Sequence, residues 1–97
     1  MPSAMYAPEA RDDIDIAFQQ YEARNPGLGD RFLDQLRRTV GRIETNPLLY
    51  GEVFDGVRAT GLRRFPYVVY YREQAGQVLI IAVRHGHDDP TVWQGRA

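Results

Sequence analysis

The chain has 97 residues, of which 43% are apolar and 11% aromatic, and its formal net charge is −1. A chain of this length can bury about 65% of its unfolded surface in one core but cannot sustain two, so we expect one globular domain over residues 1–97. The lack of cysteine excludes disulfides and thiolate metal sites. The longest apolar run, Val78–Val83, is too short to span a membrane, so we expect a cytoplasmic protein.

The charge is divided unevenly along the chain. Residues 1–56 carry six arginines and ten acidic residues, a net charge of −4, whereas residues 57–97 carry six arginines and three acidic residues, a net charge of +3. Domains that bind nucleic acid are usually strongly basic, so +3 is a weak indication of that function. Every basic residue is an arginine, which genomic codon bias explains more simply than function does.

The first part of the chain predicts a short edge strand and a helix. The strand is Ser3–Tyr6, and Pro8 and Glu9 open the helix, because proline and acidic residues favour a first helical turn. The apolar residues of the helix recur at helical spacing and are Ala10, Ile14, Ala17, Phe18 and Tyr21. The carboxylates between them, Asp13 included, are expected to form a solvated face.

A second helix is predicted after the connection Asn25-Pro26-Gly27, and it ends at Asn46-Pro47. Its apolar stripe consists of Phe32, Leu36, Val40 and Ile43. Because the connection is short, the two helices are expected to be antiparallel neighbours. Residues 48–56 show no periodicity and are predicted to form a loop, and residues 57–62 are predicted to form a strand.

The strongest strand signal comes from two runs rich in β-branched and aromatic residues, 65–71 and 78–83. They predict a β-hairpin with the three-residue loop Gln74–Gly76 and with Tyr71 opposite Leu79. In this register the face toward the helices consists of Tyr67, Val69, Tyr71, Leu79, Ile81 and Val83. The other face, apolar in the middle and cationic at its ends, consists of Arg64, Val68, Tyr70, Arg72, Val78, Ile80, Ala82 and Arg84.

These elements together predict an α+β fold with the order β-α-α-β-β-β. A short N-terminal strand and an antiparallel helical hairpin would pack on a small antiparallel β-sheet. Residues 91–96 are expected to add a helical turn after the last strand.

Few residues in this pattern could carry chemistry. His85 and His87 are the only histidines, and with Asp88 and Asp89 they make a weak ligand set, so we expect neither a metal nor a cofactor. His87 is the better acid–base candidate because histidine titrates near neutrality, whereas His85 is expected to be a hydrogen-bonded structural residue on the helix side. Neither a nucleophile motif nor a glycine-rich phosphate loop is present.

The arginines and the tryptophan allow both functional and structural interpretations. Arg64, Arg72 and Arg84 could clamp phosphates or carboxylates from one sheet face, or they could simply keep that face soluble. Trp93 is expected to be an anchor packed on the domain, with a hot spot for a partner as the alternative.

Several residues together resemble the RelE/ParE superfamily of toxins from bacterial type II toxin–antitoxin modules. They are Pro8-Glu9-Ala10 at the start of the helical hairpin, Arg64-Phe65-Pro66-Tyr67, Tyr71-Arg72, His85, Asp89-Pro90, Trp93 and Arg96. The resemblance extends from Tyr6 to Arg96, includes the element order and implies a RelE/ParE-like fold. It also implies one of two activities, because RelE-like members cleave mRNA in the ribosome whereas ParE-like members poison DNA gyrase.

The RelE pattern of basic residues is largely missing, which favours the ParE-like branch. Its basic positions fall on Ala59, Gly61, Val68 and His87, and its C-terminal tyrosine falls on Trp93. RNA cleavage needs a base for the 2′-hydroxyl and cations for the developing phosphorane charge, so the loss of several such groups should slow it by orders of magnitude.

The resemblance therefore implies a toxin that binds gyrase rather than an enzyme, held in a hetero-oligomer by a small, DNA-binding, ParD-like antitoxin. The antitoxin is expected to cover part of the sheet edge and the hairpin groove. The target-binding candidates, chosen for charge and expected exposure, are Arg58, Arg64, Arg84, His87 and Trp93. One alternative is a RelE-like, ribosome-dependent endoribonuclease with His87 as base and Arg64 and Arg84 as phosphate clamps. A second alternative is a non-toxic relative that only binds the antitoxin.

Overall fold

In the computed structural model, which describes residues 3–97, a helical hairpin lies on one face of a five-stranded sheet. The elements in chain order are β1 (Ala4–Tyr6), α1 (Pro8–Arg24), α2 (Leu28–Thr45), β2 (Glu52–Phe54), β3 (Val57–Gly61), β4 (Tyr67–Gln74), β5 (Gln77–His85) and α3 (Thr91–Gln94). The sheet order is β1-β5-β4-β3-β2, and β1 runs parallel to β5 while all other pairs are antiparallel. The α+β class is confirmed, but the sheet is mixed rather than purely antiparallel.

The helical hairpin forms as predicted and is joined by a tight connection. Pro8 occupies the first turn of α1, and Gly27, with φ 90°, takes the left-handed conformation that lets the chain enter α2. The Glu22 carboxylate accepts hydrogen bonds from the backbone nitrogens of Gly27 (3.0 Å) and Gly29 (2.9 Å), so it satisfies amides at the start of α2. A Cβ at position 29 would lie 2.8 Å from the Phe18 ring, which shows how closely the helices approach there.

One strand was not predicted. Residues 52–54, assigned to a loop from the sequence, form β2, which pairs with β3 through the two-residue turn Asp55-Gly56. Both turn residues have positive φ, 48° and 79°, as the common two-residue hairpin turn requires. The Asp55-Gly56 dipeptide is a strong hairpin signal, and it could have identified this strand from the sequence.

The hairpin of β4 and β5 also differs from its prediction. Its loop has two residues, Ala75 and Gly76, with φ 51° and 79°, so Gln74 pairs with Gln77 and Tyr71 pairs with Ile80 instead of Leu79. A β-bulge lies between this pair and the pair of Tyr70 with Ala82, which leaves Ile81 as the extra residue of β5.

The bulge reverses the faces of residues 78–81 of β5, whereas Ala82 and Val83 lie on the faces that were predicted. The core on the helix side contains Ala10, Ala17, Phe32, Leu36, Val40, Ile43, Leu62, Val69, Tyr71, Val78, Ile80 and Val83. A second, smaller core on the opposite face contains Val57, Tyr70, Ile81, Ala82 and Trp93. Val78 and Ile80 were predicted on the face away from the helices but pack toward them, and Ile81 shows the reverse. Leu79, predicted to pack on the helices, is 38% exposed.

Candidate target-binding site

Two loops meet at one end of the sheet, and we call this region the loop end. It consists of residues 62–66, between β3 and β4, and residues 86–90, between β5 and α3. The backbone nitrogen of Gly86 donates to the carbonyl of Pro66 at 2.8 Å, and that of Leu62 donates to the carbonyl of Tyr67 at 2.9 Å. The two loops are therefore tied to each other and to the sheet, so side chains that they carry are presented together.

Arg64 and His87 are the exposed members of the predicted set at the loop end. Arg64 has φ 66°, a left-handed conformation that is strained for a residue with a Cβ. The backbone nitrogen of His87 donates to Nδ1 of His85 at 3.1 Å, and the His85 ring also lies 5.7 Å from the Tyr67 ring. His85 is thus the hydrogen-bonded, helix-side residue that the sequence predicted.

A buried carboxylate holds the edge of the sheet next to the loop end. Because β1 pairs only with residues 78–80, the outer edge of β5 beyond Ile80 has no strand partner. Asp13 of α1, whose side chain is 3% exposed, accepts a hydrogen bond from the backbone nitrogen of Val83 at 3.0 Å. The Arg96 guanidinium donates to the carbonyl of Ile81 at 3.2 Å. Side chains thus replace the missing strand.

The same carboxylate joins two arginines. Asp13 accepts from Arg84 Nη1 at 3.0 Å, and from Arg96 Nη1 at 2.6 Å and Nη2 at 3.2 Å. Arg84 also contacts Asp88 at 2.7 Å, which fixes the turn that carries His87. Burial of Arg84 opposes its charged form, but the hydrogen bonds and charges of Asp13 and Asp88 outweigh it and hold the pKa of the guanidinium above its ordinary value.

The prediction that the helix 1 carboxylates are all solvated was therefore wrong for Asp13. Its position gave a signal, because Asp13 lies three residues after Ala10 and four before Ala17, on the stripe that faces the sheet. Its residue type pointed the other way, since an acidic side chain is rarely buried without partners. The partners, Arg84 and Arg96, lie 71 and 83 residues away in the sequence.

Trp93 packs on the sheet face opposite the helices. It is 6% exposed and stacks on Tyr70 with 4.2 Å between ring centroids, while Phe54 meets it edge-on at 6.0 Å. Burial raises the pKa of the Tyr70 hydroxyl above its ordinary value. The anchor interpretation of Trp93 agrees with this packing, and the sheet face that the sequence left open is covered by α3.

The five predicted target-binding residues do not form one cationic face. Arg58 stands opposite Tyr71 on the helix side of the sheet, near the other end of β3, and donates to the carbonyl of Tyr50 at 2.6 Å. Arg84 is held by its two carboxylates and Trp93 is buried, whereas Arg64 belongs to a loop rather than to a sheet face.

No helix within residues 3–97 is long and apolar enough to cross a membrane. Nor does that range place three or more histidine, aspartate or glutamate side chains where they could hold a metal ion together.

Comparison with known proteins gives consistent matches. Residues 4–90 match the family profile described as the ParE toxin of the type II toxin–antitoxin system parDE. The chain is similar to Toxin ParE2 from two strains of Mycobacterium tuberculosis, CDC 1551 / Oshkosh and ATCC 25618 / H37Rv, with 35% identity over 83 residues that cover 81% of this chain and 76% of each relative. The fold is similar to a solved structure of the chromosomal ParDE TA system from P. aeruginosa, with a TM-score of 0.77, 18% identity, and coverage of 88% of this chain and 96% of that chain.

Proposed function

The chain belongs to the ParE toxin family of type II toxin–antitoxin systems, as its resemblance to that branch indicated, and we propose that it binds and inhibits DNA gyrase in the cytoplasm. In this proposal the toxin acts by binding rather than by catalysis, and a cognate antitoxin neutralises it in a hetero-oligomer. The observation that carries the proposal is the loop end, where two mutually bonded loops present Arg64 and His87 on a rigid sheet.

Arg64 and His87 are the proposed direct contacts with the target. An exposed guanidinium suits a carboxylate or a phosphate on the partner, and the strained backbone of Arg64 is of a kind that is enriched at functional sites. His87 lies in the neighbouring loop and adds a second hydrogen-bonding group to the same surface.

The other three candidates contribute in different ways. Arg84 would position the turn of His87 through Asp88, and Trp93 would hold the C-terminal segment against the sheet. Arg58 lies away from the loop end, so we propose it only as a secondary contact. Arg84 is hydrogen-bonded to Asp13 and Asp88. This gives the nuclease alternative little support, because that mechanism needs the Arg84 guanidinium to be free to bind a phosphate.

Purified components test the function directly. We expect the wild-type chain to inhibit supercoiling by gyrase and to leave mRNA on programmed ribosomes intact. Codon-phased mRNA cleavage with normal supercoiling would instead support the endoribonuclease alternative. Inactivity of the folded protein in both assays would support the non-toxic relative that only binds an antitoxin.

The Arg64→Gln and His87→Gln variants test the contact surface. Loss of a charged or hydrogen-bonded interface contact costs enough free energy that we expect each variant to need at least about tenfold more protein for half-maximal inhibition of gyrase. The control is Arg38→Gln, since Arg38 is exposed on α2, where it pairs with Asp34. Unchanged potency of a folded Arg64→Gln, His87→Gln double variant would contradict the surface assignment.

The groove between α1 and α2 is the proposed antitoxin site. This cleft has a volume of about 500 Å³, and its lining combines apolar side chains such as Ile14 and Leu33 with two arginines and one carboxylate, namely Arg11, Arg37 and Asp15. An amphipathic helix with acidic residues beside its apolar face would complement it. A second part of the antitoxin could pair along β2, whose three residues are all exposed at the free edge of the sheet.

The charge reversal Arg37→Glu is expected to weaken the complex with the antitoxin at least about tenfold, because it places a like charge against an acidic partner. Titration of the antitoxin against the purified toxin measures this effect. The matched control Arg38→Glu makes the same charge change one position along α2 but outside the groove. Equal affinity of the two variants would exclude the groove, while gyrase inhibition should be normal in both.

A further inference from the structure

A second cleft opens where the connection of the helical hairpin faces the loop that carries Arg64. We call it the hairpin-end cleft, and its volume is 710 Å³. That volume lies in the range of pockets that enclose small organic ligands. Cationic, anionic and apolar side chains all line the cleft. Each of these three groups limits which ligands could bind there.

Three guanidinium groups line the cleft and lack carboxylate partners. They belong to Arg24 of α1, Arg31 of α2 and Arg64 of the loop, and within residues 3–97 none of the three forms an ion pair. By contrast, Arg58, Arg72 and the other paired arginines are held by acidic residues. Guanidinium groups without carboxylate partners are available to pair with phosphate oxygens.

Arg64 is kept at this cleft in an unfavourable backbone conformation. Its φ of 66° is one that glycine adopts freely and that arginine avoids. The neighbouring Arg63 shows no positive φ and does not line the cleft. Of Arg63 and Arg64, only Arg64 has the strained backbone conformation, and only Arg64 lines the cleft.

The rest of the lining is suited to a ligand that is not purely anionic. Leu28, Phe65 and Pro66 give an apolar wall against which a planar ring could pack. Asp30 and Asp34 add carboxylate oxygens, which can accept hydrogen bonds from ribose hydroxyls or from an exocyclic amine. A free inorganic anion would leave the apolar wall unused.

From this combination the structure assigns the hairpin-end cleft as a binding site for a mononucleotide. The phosphates lie among Arg24, Arg31 and Arg64, the base packs on the apolar wall, and the ribose faces Asp30. The site shares Arg64 with the proposed gyrase contact, but its test uses the isolated chain and a small ligand, so the two proposals can fail separately.

Calorimetric titration of the purified chain with ATP, adenosine and inorganic phosphate tests the site. ATP is expected to bind at least about tenfold more tightly than adenosine or phosphate, because only ATP engages both the guanidiniums and the apolar wall. Equal binding of phosphate and ATP would overturn the assignment, as would the absence of ATP binding or a requirement for a longer oligonucleotide.

Two variants separate the ligand contact from folding. Arg64→Gly removes a guanidinium and relieves the positive φ, so it is expected to weaken ATP binding at least about tenfold while its melting temperature does not fall. Arg31→Gln, an exposed change on α2, should weaken binding similarly. The matched control Arg63→Gln, on the adjacent residue outside the cleft, should bind ATP as the wild type does, and wild-type affinity in Arg64→Gly would overturn the proposal.

Discussion

Replacement of Asp13 by alanine is expected to lower the free energy of unfolding by about 3 kcal/mol, because it leaves the partly buried guanidinium of Arg96 and the backbone nitrogen of Val83 without their partner. The carboxylate satisfies the backbone nitrogen of Val83 and both Arg84 and Arg96, and its side chain is 3% exposed. Its removal would thus open the edge of β5 and leave two guanidiniums partly buried next to an unpaired amide. Urea titration followed by circular dichroism measures the change.

The Asp12→Ala variant is the matched control for this prediction. Asp12 precedes Asp13 on the same helix and is exposed, so its loss should change the free energy of unfolding by less than about 0.5 kcal/mol. If the two variants unfolded at the same urea concentration, the carboxylate of Asp13 could not hold the sheet edge as described. Asp13→Asn keeps the size of the side chain and should fall between alanine and wild type.

Replacement of Trp93 by alanine is the second large effect that we expect, with a loss of about 3 kcal/mol. The indole is 6% exposed, stacks on Tyr70 at 4.2 Å and is the largest residue of the smaller core. The variant would lose that packing, and its C-terminal segment would be held to the sheet only by the contacts of Arg96 with Asp13 and Ile81. Urea titration gives the energy, and hydrogen exchange of the amides of residues 91–96 shows whether the segment is released.

The neighbouring Val92→Ala variant controls for a general effect of changes in α3. Val92 is 37% exposed, so its truncation should cost less than about 1 kcal/mol. Trp93→Phe should recover part of the loss because an aromatic ring can still stack on Tyr70. A Trp93→Ala protein with wild-type stability but reduced gyrase inhibition would reverse the assignment and make Trp93 a partner hot spot.

The helices were predictable because their signals are local. The stripe from Phe32 to Ile43 repeats over several turns, and proline or glycine follows each helix within a few residues. The runs that form β4 and β5 were visible for the same reason. The register of these two strands was not predictable. It depends on a turn in which Ala75 adopts a positive φ and on a bulge at Ile81, and neither alanine nor isoleucine is a residue type that indicates these features.

The candidate site was less predictable because its geometry depends on contacts between distant residues. Arg64 and His87 were chosen for their charge and expected exposure, but their proximity follows from the hydrogen bond between Gly86 and Pro66. The ion pairs that hold Arg84 could not be predicted from the residues next to it in the sequence. Its exposure is set by Asp13, which belongs to the first helix.

The distance in sequence between Asp13 and its partners has a consequence for the order of events during protein synthesis. Asp13 is translated 83 residues before Arg96 and 71 before Arg84. The helical hairpin can form early from its local contacts, whereas the sheet edge needs residues from both parts of the chain. We therefore expect the edge of β5 in a nascent chain to remain open until the segment through Arg96 has emerged from the ribosome.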